Sequence, residues 1–267
     1  MAEISSEASQ RRVITTEERE AAKHTSREGL MTDITPNAVA LCRFCGAPLK
    51  LLENAISVRC MVCGERGKTR TWCTAGHFVC EGCRADELMQ QIAGLLDLPR
   101  STDPVETLLR MRQAQDFPMH GPEHHGLVAA AFLLAYHDLY GEPDWEAIVD
   151  AVQVATRLPG GTCGFWGACS AGLAVGIAYC TILNASPTDG PARATAHQAV
   201  ARILERLGEF AAPRCCRRDS LLSLQVGCEL SAELLPRAVS TSCRVMCDQV
   251  ADNPDCIGLL CPFAPPG

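Results

Sequence analysis

The pattern that most constrains this chain lies between Cys42 and Cys83. Cys42-x2-Cys45 is followed after fourteen residues by Cys60-x2-Cys63, and then by Cys73-x3-His77-x2-Cys80-x2-Cys83. Thiols two residues apart in a tight turn can converge on one ion, and four donors in tetrahedral array are what a structural Zn²⁺ requires. The spacing predicts that Cys42, Cys45, Cys60 and Cys63 form a closed four-thiolate ribbon, with the segment from Ala47 to Arg59 folded as a hairpin. So small a fold needs the metal in place of a core. Cys73, His77, Cys80 and Cys83 supply three sulfurs and an imidazole for a second ion, or the two sets interleave in a cross-braced arrangement like that of RING-type modules. A further reading makes Cys80 and Cys83 a redox pair with His77 only a neighbour.

The chain carries seventeen cysteines and no apolar signal core near its N-terminus. That usage predicts a reducing, cytoplasmic setting in which thiols serve metal or redox chemistry rather than a disulfide framework. Residues 1–36, rich in Ser, Thr, Glu and Arg, read as a disordered leader, residues 37–84 as a zinc-binding ribbon or knuckle module, and residues 85–267 as a helical cysteine-rich domain. A net charge of −7 gives no global pull toward nucleic acid or an anionic membrane. The module itself holds seven Lys or Arg against three Asp or Glu, among them Arg59, Arg66, Lys68 and Arg70 near Trp72, which keeps a nucleic-acid adaptor as a disfavoured alternative. The apolar runs Leu127 to Tyr136 and Leu173 to Leu183 are too short to span a bilayer.

From Ala85 the pattern is helical almost to the end, so the expected fold class is mainly α, a helical domain preceded by the small metal module and the leader. Ala85 to Leu96 is amphipathic. Asp103-Pro104 opens the next helix, to Gln115, with Glu106 in a capping-box position. Others run from Gly121-Pro122-Glu123 to Leu139, from an Asp144 cap to Arg157, and from Pro191 to Leu207. The last runs from about Arg218, with Asp219 or Ser220 as its cap, to Leu235.

Between the fourth of these and Pro191 lies Leu158 to Ala185, in which Pro-Gly-Gly-Thr-Cys-Gly-Phe-Trp-Gly-Ala-Cys precedes an almost wholly apolar run. Gly160 and Gly161 predict a turn feeding a buried helix with Cys163 in its first turn, where free N–H groups favour a thiolate. Cys169 follows further along, and Cys180 lies three turns below it on the same face. The alternative for these glycines is that small residues let another helix approach. Met119-His120-Gly-Pro-Glu123-His124-His125 concentrates proton-transfer groups, with His120 in the turn before the helix. Pro213-Arg-Cys215-Cys216-Arg-Arg-Asp219 sets three cations beside two thiols, which should lower their pKa, and vicinal cysteines should face different ways. The tail holds Cys243, Cys247, Cys256 and Cys261-Pro262.

The motifs from Cys73-x2-Gly-His77 through the histidine run, the glycine–cysteine stretch and the vicinal cysteines to Cys256-Ile-Gly-x-x-Cys261-Pro-Phe resemble an uncharacterised cysteine-rich family. Its members occur alone, or fused or adjacent to SAM-dependent methyltransferases and radical-SAM proteins, mostly in anaerobic prokaryotes. The resemblance covers roughly residues 70–264. It implies a partner of that kind and brings no established activity, and Cys180 and Cys247 fall outside its pattern. Gly-Gly-x-Cys-Gly with distant cysteines on helices is also loosely similar to iron–sulfur serine dehydratases and cysteine desulfidases, whose cluster keeps an open iron.

These readings converge on a metalloprotein with one or two Zn²⁺ in the module. In the helical domain, Cys163, Cys169, Cys216 with Cys215 as its alternate, Cys256 and Cys261 are expected to meet around a [4Fe–4S] cluster, with His120, Glu123, His124 and His125 as acid–base groups. A lyase or sulfur-transfer reaction on a small substrate would follow from an open iron. The alternative is a non-enzymatic redox or metal-carrying partner of a methyltransferase or radical-SAM enzyme.

Overall fold

A glycine-bearing knuckle sets the geometry of the N-terminal module. In a computed structural model describing residues 42, 45, 47–93, 101–114, 117–141 and 144–266, β1 (Leu49–Arg59) pairs antiparallel with β2 (Arg66–Cys73). The register places Arg59 opposite Arg66 and Leu49 opposite Cys73, with an irregularity between Leu51 and Ile56. The connecting turn is the second Cys-x-x-Cys itself. Cys60 N–H donates to Glu65 O at 2.8 Å, Gly64 N–H to Cys60 O at 3.0 Å, and Gly64 takes φ +75°, which glycine adopts without strain. The hairpin expected within residues 47–59 is thereby corrected. That segment has no glycine for a tight turn, so it runs on as one strand and finds its partner beyond the knuckle. The leader expected over residues 1–36 lies outside the described residues.

The chain then becomes helical: α1 (Glu81–Ala93), α2 (Pro104–Ala114), α3 (Glu123–Tyr140), α4 (Trp145–Thr156), the single turn α5 (Thr162–Phe165), α6 (Ser170–Ile182), α7 (Gly190–Gly208) and α8 (Cys216–Leu234), with a 3₁₀ turn at Gly258–Leu260. Aspartates start three of them. Asp103 Oδ1 accepts from Val105 N at 2.9 Å, Asp144 from Ala147 N at 3.1 Å and Asp189 from Ala192 N at 3.1 Å. Glu106 does not close the expected capping box but accepts from the Ser101 hydroxyl at 2.6 Å. The helix centred in the core is α3, buried from Glu123 through Tyr136, with α2, α4, α6 and α8 packed on it. A helix apolar on every side has no face to give to water. Among the described residues no helix is long and apolar enough to cross a membrane.

The glycine–cysteine stretch is not one helix. It turns once as α5, breaks at Gly167 with φ +73°, and restarts with Cys169 as N-cap of α6. Within α6 the glycines serve packing: a Cβ on Gly172 would meet Ile203, and one on Gly176 would stand 2.3 Å from Val200 Cγ2 of α7. Valine on a helix has one strongly preferred χ1, so Val200 cannot swing aside cheaply. Gly176→Ala should therefore lose the roughly 1 kcal/mol that alanine adds to a helix and more, for a net destabilisation of about 1 kcal/mol from overpacking. Gly164→Ala, with nothing within 4 Å of the new Cβ, should be near neutral, and urea midpoints of the two variants check the contrast.

Candidate functional site

The eight candidate ligands of the module fall into two groups that could each hold a metal ion, Cys42, Cys45, Cys73 and His77 in one and Cys60, Cys63, Cys80 and Cys83 in the other, with donor atoms within 4.8 Å of one another in each. The sets interleave, which settles the sequential and cross-braced alternatives in favour of the second and corrects the four-thiolate ribbon of Cys42, Cys45, Cys60 and Cys63. The hairpin gives the reason. At about 3.3 Å per residue, β2 alone holds its ends about 23 Å apart, so the knuckle at the tip cannot reach the one at the base. Cys73, at the end of β2 opposite Leu49, joins the base, and the following segment returns to the tip, where Met61 N–H donates to Phe78 O at 2.9 Å.

Distances within each group suit one tetrahedral ion. Cys45 and Cys73 sulfurs are 3.7 Å apart, as are those of Cys63 and Cys80; ligand bonds of about 2.3 Å in a tetrahedron set sulfurs about 3.8 Å apart. His77 presents Nδ1, 3.1 Å from Cys45 Sγ and 3.8 Å from Cys73 Sγ. Burial pushes the Cys60 thiol up, but the N–H groups of Cys63, Cys80 and Val62 outweigh it and draw it down to about 6. Cys73 is likewise opposed by burial and drawn to about 6 by the N–H groups of His77 and Ala75 and by the His77 ring. Cys83, facing the Cys80 and Cys63 sulfurs, is pushed up to about 12. A full set of thiolates needs a cation among them.

The histidine run folds so that its members part. Arg112 Nη1 donates to His124 Nδ1 at 2.5 Å, which leaves the proton on Nε2, where it is donated to Pro118 O at 2.9 Å. Burial, with Arg112 adding, pushes His124 down to about 3. Both nitrogens are engaged, so His124, expected as an acid–base group, is a neutral internal bridge. His125 donates from Nδ1 to Leu158 O at 3.2 Å, and burial pushes it down to about 4. Glu123 is fully buried, with Oε1 3.9 Å from Arg84, and Gly121 leaves its carboxylate room, since a Cβ there would sit 1.8 Å from Oε2. His120 differs. It lies in the turn before α3, neither nitrogen is bound to backbone, and Nε2 stands 4.0 Å from Asp255 Oδ2 beside Asn253. Burial, then Arg214, push its pKa down.

The helical-domain thiols divide at the start of α8, which begins two residues earlier than its sequence suggests because a thiol caps it. Cys215 Sγ accepts from Arg218 N at 3.5 Å and from Asn253 Nδ2 at 3.7 Å. Cys216 faces the other way, where it takes the Gly121 N–H and feels Asp219 and Cys163. Cys169 feels Asp219 and Cys163 as well. Cys163 itself is exposed on α5 between Gly161 and two outward aromatics, Phe165 and Trp166, 59% and 64% exposed. Arg70 lies over the Phe165 ring, 5.3 Å from its centre.

Burial outweighs the arginines here, although Arg218 draws Cys215 down and Arg214 draws Cys216 down. Burial pushes Cys215 up, Cys216 to about 11 and Cys169 to about 12. Arg218 is paired with Asp219 at 3.0 Å and Arg217 with Asp248 at 2.9 Å, which offsets part of their charge.

On the Cys215 side opens a cavity of about 490 Å³, counting its mouth, walled in part by Cys215, Cys247, Cys256, Cys261, Arg217 and Arg218. Cys163, Cys169 and Cys216 are not among its walls. Cys261 is close enough to Cys215 to add to the cost of charging it. By sequence Cys247 falls outside the family pattern and is a weaker candidate. Its place is fixed by a backbone bond, Cys247 N–H to Phe263 O at 2.7 Å, that ties it beside Cys261. The cysteine density of the tail was the signal available for it.

Compared with known protein families, residues 92–264 match a model described as "Family of unknown function (DUF5714)". No curated protein and no solved structure matches the chain.

Proposed function

We propose that this chain, which belongs to that family of unknown function through residues 92–264, is a zinc-braced iron–sulfur protein that serves as a redox or metal-carrying partner of a methyltransferase or radical-SAM enzyme. Two structural Zn²⁺ would occupy the interleaved groups, which present four protein donors each and leave no position for substrate. The thiol-walled cavity carries the iron–sulfur part of the reading. Its supporting surface is the exposed Phe165 and Trp166 pair beside Cys163, an apolar patch suited to a protein partner. A SAM-dependent methyltransferase or radical-SAM protein is the partner class the family resemblance suggests.

A lyase or sulfur-transfer reaction on a small substrate is the second reading, and one observation favours it. His120 is held neutral beside Asn253 and Asp255, two residues of the cavity wall, where it could pass a proton. The engagement of His124 and His125 and the burial of Glu123 weigh against it by removing the rest of the acid–base set.

Anaerobic purification with metal analysis tests the proposal. The expected product is brown, with two zinc ions per chain plus iron and acid-labile sulfide, and its visible absorption bleaches on reduction. Colourless protein that keeps two zinc ions and takes up no iron and sulfide on reconstitution would overturn the iron–sulfur reading.

A further inference from the structure

Resting on that iron–sulfur reading, we propose that Cys215, Cys247, Cys256 and Cys261 are the four ligands of a [4Fe–4S] cluster seated in the cavity at the α8 N-terminus, and that Cys163, Cys169 and Cys216 are not ligands. The set differs from the one the sequence suggests, because it gains Cys247 and loses every thiol on the α5–α6 side.

The cavity brings together thiols from three separate segments, each anchored by its own backbone bonds. Cys215 is fixed as the cap of α8. Cys247 is fixed by its bond to Phe263 O, and Cys261 by donation to Gly258 O at 2.9 Å across the 3₁₀ turn that follows Cys256. Gly258, at φ +56°, makes that turn possible. Four cysteines are the number a cubane cluster takes.

Spacing separates a cluster from a third zinc ion. In the module, four ligand atoms crowd within 4.8 Å, and among the described residues no other group of three or more His, Cys, Asp or Glu does so. A single tetrahedral ion requires that crowding. Cluster ligands each bind a different iron and stand further apart, which suits four thiols spread around one cavity wall.

The surroundings suit an anionic cluster. Cys256 Sγ accepts from Gly258 N at 3.4 Å and Cys215 Sγ from Arg218 N and Asn253, donors of the kind that stabilise cluster thiolates. Arg217 and Arg218, each more than nine-tenths buried, line the same wall, and Arg217 Nε has no hydrogen-bond acceptor. Met119, Leu221, Ile257 and Phe263 supply an apolar remainder. Four thiolates fill one position on each iron, so this cluster has no open iron for a substrate.

The full chain, reconstituted anaerobically with ferrous iron and sulfide, tests the ligand set. Wild type should take up roughly four irons and four sulfides. Cys247→Ser should lose the cluster or change the electron paramagnetic resonance of the reduced protein, while Cys163→Ser, Cys169→Ser and Cys216→Ser keep both stoichiometry and spectrum. Unchanged iron and spectrum in Cys247→Ser, with loss in Cys163→Ser or Cys216→Ser, would overturn the ligand set and leave the iron–sulfur reading standing. A wild type that retains two zinc ions but takes up no iron and sulfide would overturn both. Alkylation of reconstituted wild type reads the same assignment without a variant: Cys163 should be modified and the four cavity cysteines protected, and modification of those four to the level of iron-free protein would overturn it.

Discussion

Replacing Cys42 and Cys73 together by serine is expected to remove one zinc ion and leave one bound, whereas replacing Cys42 and Cys60 together removes both. Cys42 and Cys73 belong to one group with Cys45 and His77, while Cys60 belongs to the other. A sequential ribbon of Cys42, Cys45, Cys60 and Cys63 gives the opposite order, because Cys42 and Cys60 would then damage a single site. Zinc per chain, measured after a chelating resin has removed loose metal, distinguishes one ion from none. The energetic effect is the largest expected in the molecule. Structural zinc contributes on the order of 10–16 kcal/mol to small zinc-finger folds, comparable with the whole net stability of a domain, about 5–15 kcal/mol. Cobalt substitution adds a check on identity: the site left in Cys42→Ser/Cys73→Ser is all sulfur, and the site left in Cys60→Ser/Cys80→Ser retains the His77 imidazole.

That experiment also marks where sequence reasoning stops. Cysteine and histidine spacing identifies donors, because two residues between thiols is a local geometric matter. Which knuckles share an ion depends on strand register, and here the turn glycine, Gly64, lies inside the second knuckle, so the hairpin extends past it and carries its two ends apart. The aspartate-led helices were legible for the same local reason: Asp103, Asp144 and Asp189 each bond N–H groups two or three residues ahead.

What was hidden is tertiary. Cys215 caps α8 through sulfur, a weak acceptor that cap rules do not name, so the helix starts two residues before Arg218, while the opposed directions of Cys215 and Cys216 follow from their adjacency as expected. Gly172 and Gly176 serve the alternative that small residues let another helix approach, and what sequence does not name is that the approaching helix is α7. His124 looked like a free base because its partners, Arg112 on α2 and the Pro118 carbonyl, lie outside the helix it starts. Cys247 falls outside the family pattern, and the bond that ties it to Phe263, two residues from Cys261, spans a loop.

The same buried histidines predict how the domain responds to acid. His124 and His125 hold folded pKa values of about 3 and about 4, below the ordinary 6.5, because burial excludes the charged form. Their neutral forms are the folded ones. Above pH 6.5 neither folded nor unfolded chain binds these protons and stability is complete. As pH falls below 6.5 the unfolded chain takes them up first, and stability is lost until the folded values are reached. Each site contributes about 1.4 kcal/mol per pH unit, so the two together should cost about 4 kcal/mol between pH 7 and pH 5. His120, also pushed down by burial, adds in the same direction. His125→Asn keeps a donor for Leu158 O and removes one titration, so its loss over that interval should be smaller than that of wild type by about 2 kcal/mol. Urea denaturation of both proteins at the two pH values measures this difference, and acid loss of metal from the module affects both equally and cancels. Equal losses in the two proteins would mean that His125 is charged or exposed in the folded chain, contrary to its burial against Leu158.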